Sequence, residues 1–264
     1  MIDVTFDGGI ATITMSHGKA NALDIEFCQA MTALFGELRS KADITAVVLT
    51  GQNNGKAGMF SAGVDLKRLS AGGADYVTEF LPTLHALYDA VFFFPKPVIA
   101  AINGHAIAGG AVLAACADRR VMASEAGKIG ITELQVGVPL PALAFEIVRF
   151  AVPSRYLAEF ALGAGTYATA DALQKGWVDE VVDGWELMPR AMRLAKLHAS
   201  MSPEAFAQTK AQIRQPVTDA LAAHGKATDE KVTAIWILDA TLKRVSDYVA
   251  KTLTKAPTVS RSVH

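Results

Sequence analysis

Apolar and polar residues alternate over residues 2–6 and again over 10–15, with Gly8-Gly9 between the two runs. This pattern predicts a β-hairpin. Asp24 then precedes an apolar stripe at Ile25, Cys28, Met31, Leu34 or Phe35, and Leu38, the spacing of one helix face behind an aspartate cap. The run from Ile44 to Leu49, closed by Thr50-Gly51, has the character of a buried strand. A short helix is expected after Asp65 and a longer one over 74–93, followed by a strand at Val98–Ile102, a buried helix over Gly109–Ala117 and a strand at Arg120–Ala123. Residues 153–175 have a helical pattern, and Val178–Val182 closes the series as a last short strand. Strands alternating with helices predict right-handed β-α-β crossovers and a parallel sheet. From about residue 185 the strand signals cease. There Ile235, Leu238, Leu242, Val245 and Val249 step by three and four, a stripe that must be buried against the core or another subunit. The tail from Ala256 to His264 is polar and reads as a frayed end.

Composition adds limits. The chain has 264 residues, 51% hydrophobic and 19% charged, enough for a sizeable core and against disorder. A formal net charge of −1 supplies no basic field for nucleic acid. Cys28 and Cys116 sit among apolar residues and form neither a disulfide framework nor a zinc pattern, which fits a reducing cytoplasm. The opening Met1-Ile2-Asp3-Val4-Thr5 carries no secretory pattern, and the apolar runs around Phe92-Phe93-Phe94 and Ile107–Ala117 are too short to span a bilayer.

The strongest chemical signal is a pair of small-residue turns, Phe60-Ser61-Ala62-Gly63-Val64-Asp65-Leu66 and Asn103-Gly104-His105-Ala106-Ile107-Ala108-Gly109-Gly110. Each follows an apolar run and leads into a helix. Small residues let a ligand atom approach backbone N–H groups, and two such groups aimed at one carbonyl oxygen stabilise an oxyanion. The pair therefore points to carbonyl chemistry on an activated acyl group. Other candidates are weaker. The segment Gly51–Ala57 resembles a phosphate loop, but its spacing is one residue short and Ala57 stands where a magnesium ligand is required. No two of the six histidines have metal-ligand spacing, and His105 is expected to face the sheet or a neighbouring helix. Ser61 does not lie in a nucleophile elbow. Glu133 is a lone carboxylate among apolar residues. Burial would raise its pKa toward neutrality and suit it as a general base; a helix-start glutamate held by backbone donors is the other reading.

Four ordered motifs now give the chain a family likeness: Lys19-Ala20-Asn21-Ala22-Leu23, the Phe60–Leu66 turn, Lys96 through Gly110, and Ala172–Asp179. From Ile2 to about residue 250 it resembles the crotonase family, the enoyl-CoA hydratase/isomerase superfamily. The resemblance implies an α/β spiral of β-β-α repeats over residues 1–185 and a C-terminal helical region, 186–264, that mediates trimers, often paired into hexamers. It implies that the backbone N–H groups of Ala62 and Gly109 grip the thioester oxygen of an acyl-CoA. Lys19, Ala20, Ala22, Gly63, Val64, Asp65 and Leu66 would line the CoA path, with Val112 and Pro139 also near substrate. Phe80, Leu84, Leu87 and the segment after Pro139 would hold the acyl chain. The CoA thioester is the substrate, and no separate cofactor or metal is implied.

One departure selects among reactions. Hydratases of this family usually carry two glutamates, and the first lies three residues after the second oxyanion glycine, which here is Val112. The second matches Glu133. Hydration divides its proton transfers between two carboxylates, whereas moving a double bond needs one base. The leading expectation is therefore a 3-enoyl-CoA to 2-enoyl-CoA isomerase with Glu133 as base. The alternatives are a hydratase that recruits Glu79 or Glu146, another reaction through a thioester enolate, or a non-catalytic acyl-CoA binder.

Overall fold

The structure, a computed structural model, describes residues 1–52 and 58–253. Most of the phosphate-loop-like segment and the tail from Ala256 to His264 lie outside the described residues. Strands β1 (Ile2–Asp7) and β2 (Ile10–Met15) pair antiparallel from Ile2↔Met15 to Asp7↔Ile10. Gly8 and Gly9 between them have φ of 54° and 83°, the positive values a two-residue turn of this hand requires. Asp24 caps α1 (Ile25–Ser40) by accepting from the Phe27 amide at 2.8 Å.

The strands that follow are β3 (Ala46–Gly51), β4 (Gly58–Ser61), β5 (Val98–Ile102), β6 (Gly104–Ile107), β7 (Arg119–Ala123), β8 (Lys128–Gly130), β9 (Tyr167–Ala168) and β10 (Glu180–Val182). They form two sheets. One runs β1-β2-β3-β5-β7-β10, parallel except for the hairpin; the other runs β4-β6-β8-β9, with β9 antiparallel. The chain gives β3, β5 and β7 to the first sheet and the strand after each to the second. Helices α2 (Leu66–Phe92) and α3 (Gly109–Ala115) follow β4 and β6, so each turn of the spiral is β-β-α. The single parallel sheet that alternation predicts is thus half of the arrangement. β4, β6 and β8 are three or four residues long and rich in glycine, too short for a period-two signal.

The two helices expected after Asp65 are the halves of α2, divided at Gly73, where φ is 58° and ψ −145°. The helical stretch expected over 153–175 is broken: α4 (Ala142–Ala151) and α5 (Ser154–Gly163) are followed by left-handed Ala164, then β9, then α6 (Thr169–Gln174). Among the described residues everything beyond β10 is helical: α7 (Gly184–Ala199), α8 (Pro203–Ala220), α9 (Lys226–Trp236) and α10 (Asp239–Tyr248). These helices fold back on the chain's own core, α7 across β3, β5 and β7, α9 on α2 and α4, and α10 on α2. The predicted apolar stripe holds at Val245, with Leu242 and Val249 partly buried against the core, but not at Ile235 and Leu238, which are 39% and 52% exposed. The break between α9 and α10 at Ile237–Leu238 resets the helical phase, and Val232 and Trp236 face inward instead. A buried ionic cluster fastens α8: Asp118 accepts from Lys210 Nζ at 2.6 Å and from Arg214 at 2.7 Å, and the Arg214 guanidinium stacks 4.1 Å from the Phe92 ring. No helix among the described residues is long and apolar enough to cross a membrane.

Candidate active site

A cavity of about 560 Å³ lies where the loop after β2, the start of α2, the end of β6, the turn after β8 and the last helices meet. Its wall includes Lys19, Ala20, Ala22, Ala62, Val64, Asp65, Leu66 and Glu133, eight of the sequence-derived candidates.

Asn21 builds one side. It adopts φ 46°, its side-chain oxygen accepts from the His17 amide at 2.8 Å, and its amide nitrogen donates to the Met59 and Phe60 carbonyls. Ser61 Oγ donates to the Asn21 carbonyl at 2.7 Å and accepts from the Gly63 amide, so its hydroxyl is structural. Leu23 then pairs with Val64 as a parallel bridge: the Leu23 amide donates to Gly63 O at 2.8 Å and the Asp65 amide to Leu23 O at 2.9 Å.

That pairing decides which amides are free. The Ala62 N–H, expected from the resemblance to be an oxyanion donor, donates to Ala20 O at 2.9 Å and is already spent. Successive amides of an extended segment point to opposite sides. The Val64 N–H therefore points away from Leu23, and no acceptor for it occurs among the described residues. The Gly109 N–H, first in α3, has no intrahelical partner. The two turns touch: a Cβ built on Gly63, where φ is 82°, would lie 2.9 Å from the Gly109 nitrogen and 2.7 Å from Ile107 O. Only glycine fits at Gly63 on both counts. A Cβ on Gly109 would meet Tyr88 Oη, 2.8 Å away, and Leu23 Cδ1, 3.1 Å away.

Glu133 opens a single 3-10 turn, Glu133–Gln135, and is only 9% exposed. Burial pushes its carboxyl up to about 7, against the opposing pull of its own and the Thr132 amides. Its Oε2 has no hydrogen-bond partner among the described residues. A buried carboxylate oxygen without a partner is costly unless something else takes the bond or the proton. Among the described residues, no second free carboxylate lines the cavity. Asp65 lines it but caps α2, accepting from the Lys67 and Arg68 amides. Glu146 pairs with Arg149 outside the wall, Glu79 is exposed on α2, and Val112 is fully buried inside α3.

At the mouth, His17 Nε2 lies 2.7 Å from Asp24 Oδ2, which Arg68 also reaches at 3.1 Å. Burial opposes ionisation of Asp24, but His17, the Phe27 amide and Arg68 together hold its carboxyl below its usual value. Lys19 and Lys67 are exposed on the same rim.

Some sequence-derived residues lie elsewhere. Phe80, Leu84 and Leu87 are buried in the core and do not line the cavity. Gly63 and Gly109 adjoin the wall residues Ala62, Val64 and Ala108 without being lining residues themselves, Val112 does not line the cavity, and the Pro139 carbonyl accepts from Trp236 Nε1 at 2.8 Å. His105 Nδ1 accepts from the Lys128 amide, a packing role as expected. Thr132, Gln135, Val136, Val138, Trp236 and Tyr248 also line the cavity and were not among the sequence-derived candidates. Val136 and Val138 adjoin Glu133 in sequence and were the findable ones; nothing local to Trp236 or Tyr248 marks them.

The model of the enoyl-CoA hydratase/isomerase family matches residues 5–249. The chain belongs to that family. It is 34% identical to the carnitinyl-CoA dehydratase of Salmonella paratyphi B over 216 residues, covering 79% of this chain and 78% of the relative. Among solved structures, human mitochondrial Δ3-Δ2-enoyl-CoA isomerase superposes with a TM-score of 0.87, covering 94% of this chain and 96% of that one; at 23% identity this is a likeness of fold. A probable enoyl-CoA hydratase of Mycobacterium tuberculosis gives a TM-score of 0.80 at 31% identity, covering 92% and 98%. The chain is thus an enzyme of the hydratase/isomerase family, and the non-catalytic reading is set aside.

Proposed function

We propose that this enzyme converts a 3-enoyl-CoA into the 2-enoyl-CoA. The thioester oxygen accepts from the Val64 and Gly109 N–H groups. Ionised Glu133 takes the C2 proton, electrons move toward the thioester oxygen, and the resulting dienolate is held by the two amides. Protonated Glu133 returns the proton at C4, which leaves the double bond between C2 and C3. One base suffices because the reaction has no net uptake of water or proton. A pKa near 7 lets Glu133 both accept and release the proton at neutral pH.

The observation that carries this reading is the single buried carboxylate with a free oxygen, in a cavity whose other carboxylate is a helix cap. Lys19 and Lys67 at the rim suit the CoA phosphates, and the end lined by Val136, Val138, Trp236 and Tyr248 suits the acyl chain. A trimeric or hexameric state and a cytoplasmic setting belong to the same reading. The test is isomerisation of a 3-enoyl-CoA beside hydration of crotonyl-CoA: isomerisation should dominate, and dominant hydration would overturn the proposal. Likeness to a dehydratase at 34% identity favours water addition or removal as the second reading.

A further inference from the structure

Tyr88 lies on α2 behind the cavity wall, almost wholly buried, and takes no part in the chemistry above. Its hydroxyl donates to the Gly109 carbonyl at 3.0 Å. The peptide just before the Gly109 N–H belongs to Ala108, which adopts φ 53° and ψ −127°. A residue with a Cβ rarely occupies that region, and it stays there only when its surroundings over-determine it. The restraints are visible. The Ala108 amide donates to Gly130 O at 2.8 Å, and the Ala108 carbonyl accepts from the Ala111 and Val112 amides. The side-chain restraint on the next peptide is the Tyr88 hydroxyl. α3 is only seven residues long, so its first turn has little cooperative support of its own.

We propose that Tyr88 is a positioning residue for the second oxyanion donor: by holding the Gly109 carbonyl it fixes the first turn of α3, and with it the direction in which the Gly109 N–H points. The inference rests on the proposed function only in that Gly109 donates to the thioester oxygen. Burial keeps the phenol protonated well above its ordinary range, so it remains a donor at every working pH. The same hydroxyl is the nearest obstacle to a side chain at position 109, 2.8 Å from where a Cβ would go, with Leu23 Cδ1 next at 3.1 Å.

The test uses the full chain, with Tyr88→Phe, Gly109→Ala and the double variant. Readouts are kcat, KM and the carbonyl stretch of a bound 2-enoyl-CoA, with thermal melting as the folding control. Tyr88→Phe should lower kcat about tenfold with little change in KM, short of the roughly 10²–10³-fold cost of a lost donor. It should also lose part of the carbonyl downshift that the wild type imposes. Gly109→Ala should lose at least about a hundredfold. The double variant should recover part of the way from the Gly109→Ala rate toward the Tyr88→Phe rate, because the nearest colliding atom is gone while the Leu23 Cδ1 contact at 3.1 Å remains. Wild-type kcat and carbonyl shift in Tyr88→Phe, whatever its melting temperature, would overturn the inference. So would losses that multiply in the double variant. Absence of any downshift in the wild type would overturn the oxyanion reading and this inference together; a wild-type downshift left intact by Tyr88→Phe overturns this inference alone.

Discussion

Replacing Glu133 by glutamine keeps the shape of the side chain and removes its charge, so it separates two effects of the same group. In the native state the carboxyl pKa is raised from 4.5 to about 7, chiefly by burial. A folded-state pKa above the unfolded one means the native protein binds the proton more tightly. Stability from this group is therefore full below about pH 4.5 and is lost as pH rises through 7. The gap corresponds to roughly 3 kcal/mol for a fully buried group. Glu133→Gln escapes that loss: its stability relative to wild type should rise by up to about 3 kcal/mol between pH 4.5 and 8. Activity moves the other way. The base must be ionised, so wild-type kcat should climb with pH and level off above about 7, and the glutamine variant should lose roughly 10²–10⁴-fold. Urea unfolding at pH 5 and 8 measures the first effect. The second is read from formation of the conjugated thioester and from deuterium exchange at C2. A stability difference that does not grow with pH, or a variant that exchanges C2 hydrogen at the native rate, would refute the reasoning.

Other outcomes follow from the packing. Gly63→Ala would force a Cβ to within 2.7–2.9 Å of Ile107 O, Ala108 Cβ and the Gly109 nitrogen at a positive φ; kcat should fall at least about a hundredfold and the melting temperature should drop. Trp236→Ala removes a wall residue and its bond to Pro139 O; it should cost about 3–5 kcal/mol in denaturant titration and shift preference toward longer acyl chains in a substrate series. Asp118→Ala would strand Lys210 and Arg214 without their shared carboxylate; a loss of about 3–5 kcal/mol is expected, with KM for acyl-CoA little changed.

The elements that announced themselves did so through local physics. The Gly8-Gly9 hairpin, the Asp24 cap and the apolar runs of β3 and β5 are each specified within about ten residues, and each appears in place. The second sheet did not announce itself, because β8 has three residues and β4 and β6 four, and pairing rather than hydrophobic period defines them. The site divides the same way. Residues of the wall within the two small-residue turns could be named from sequence, and Glu133 stood out as a carboxylate in apolar company. Which amide of the Ala62-Gly63-Val64 turn is free could not be, since it depends on the remote pairing of Val64 with Leu23 and of Ala62 with Ala20. Trp236 and Tyr248 reach the cavity through the packing of α9 on α2 and α4 and of α10 on α2.

That last arrangement bears on synthesis. The pocket's apolar end is closed by residues translated long after Val64, Gly109 and Glu133. A ribosome-bound chain that has yet to release α9 and α10 would carry Glu133 in a wall still open to solvent on that side. The substrate chamber should therefore be complete only once those two helices have docked.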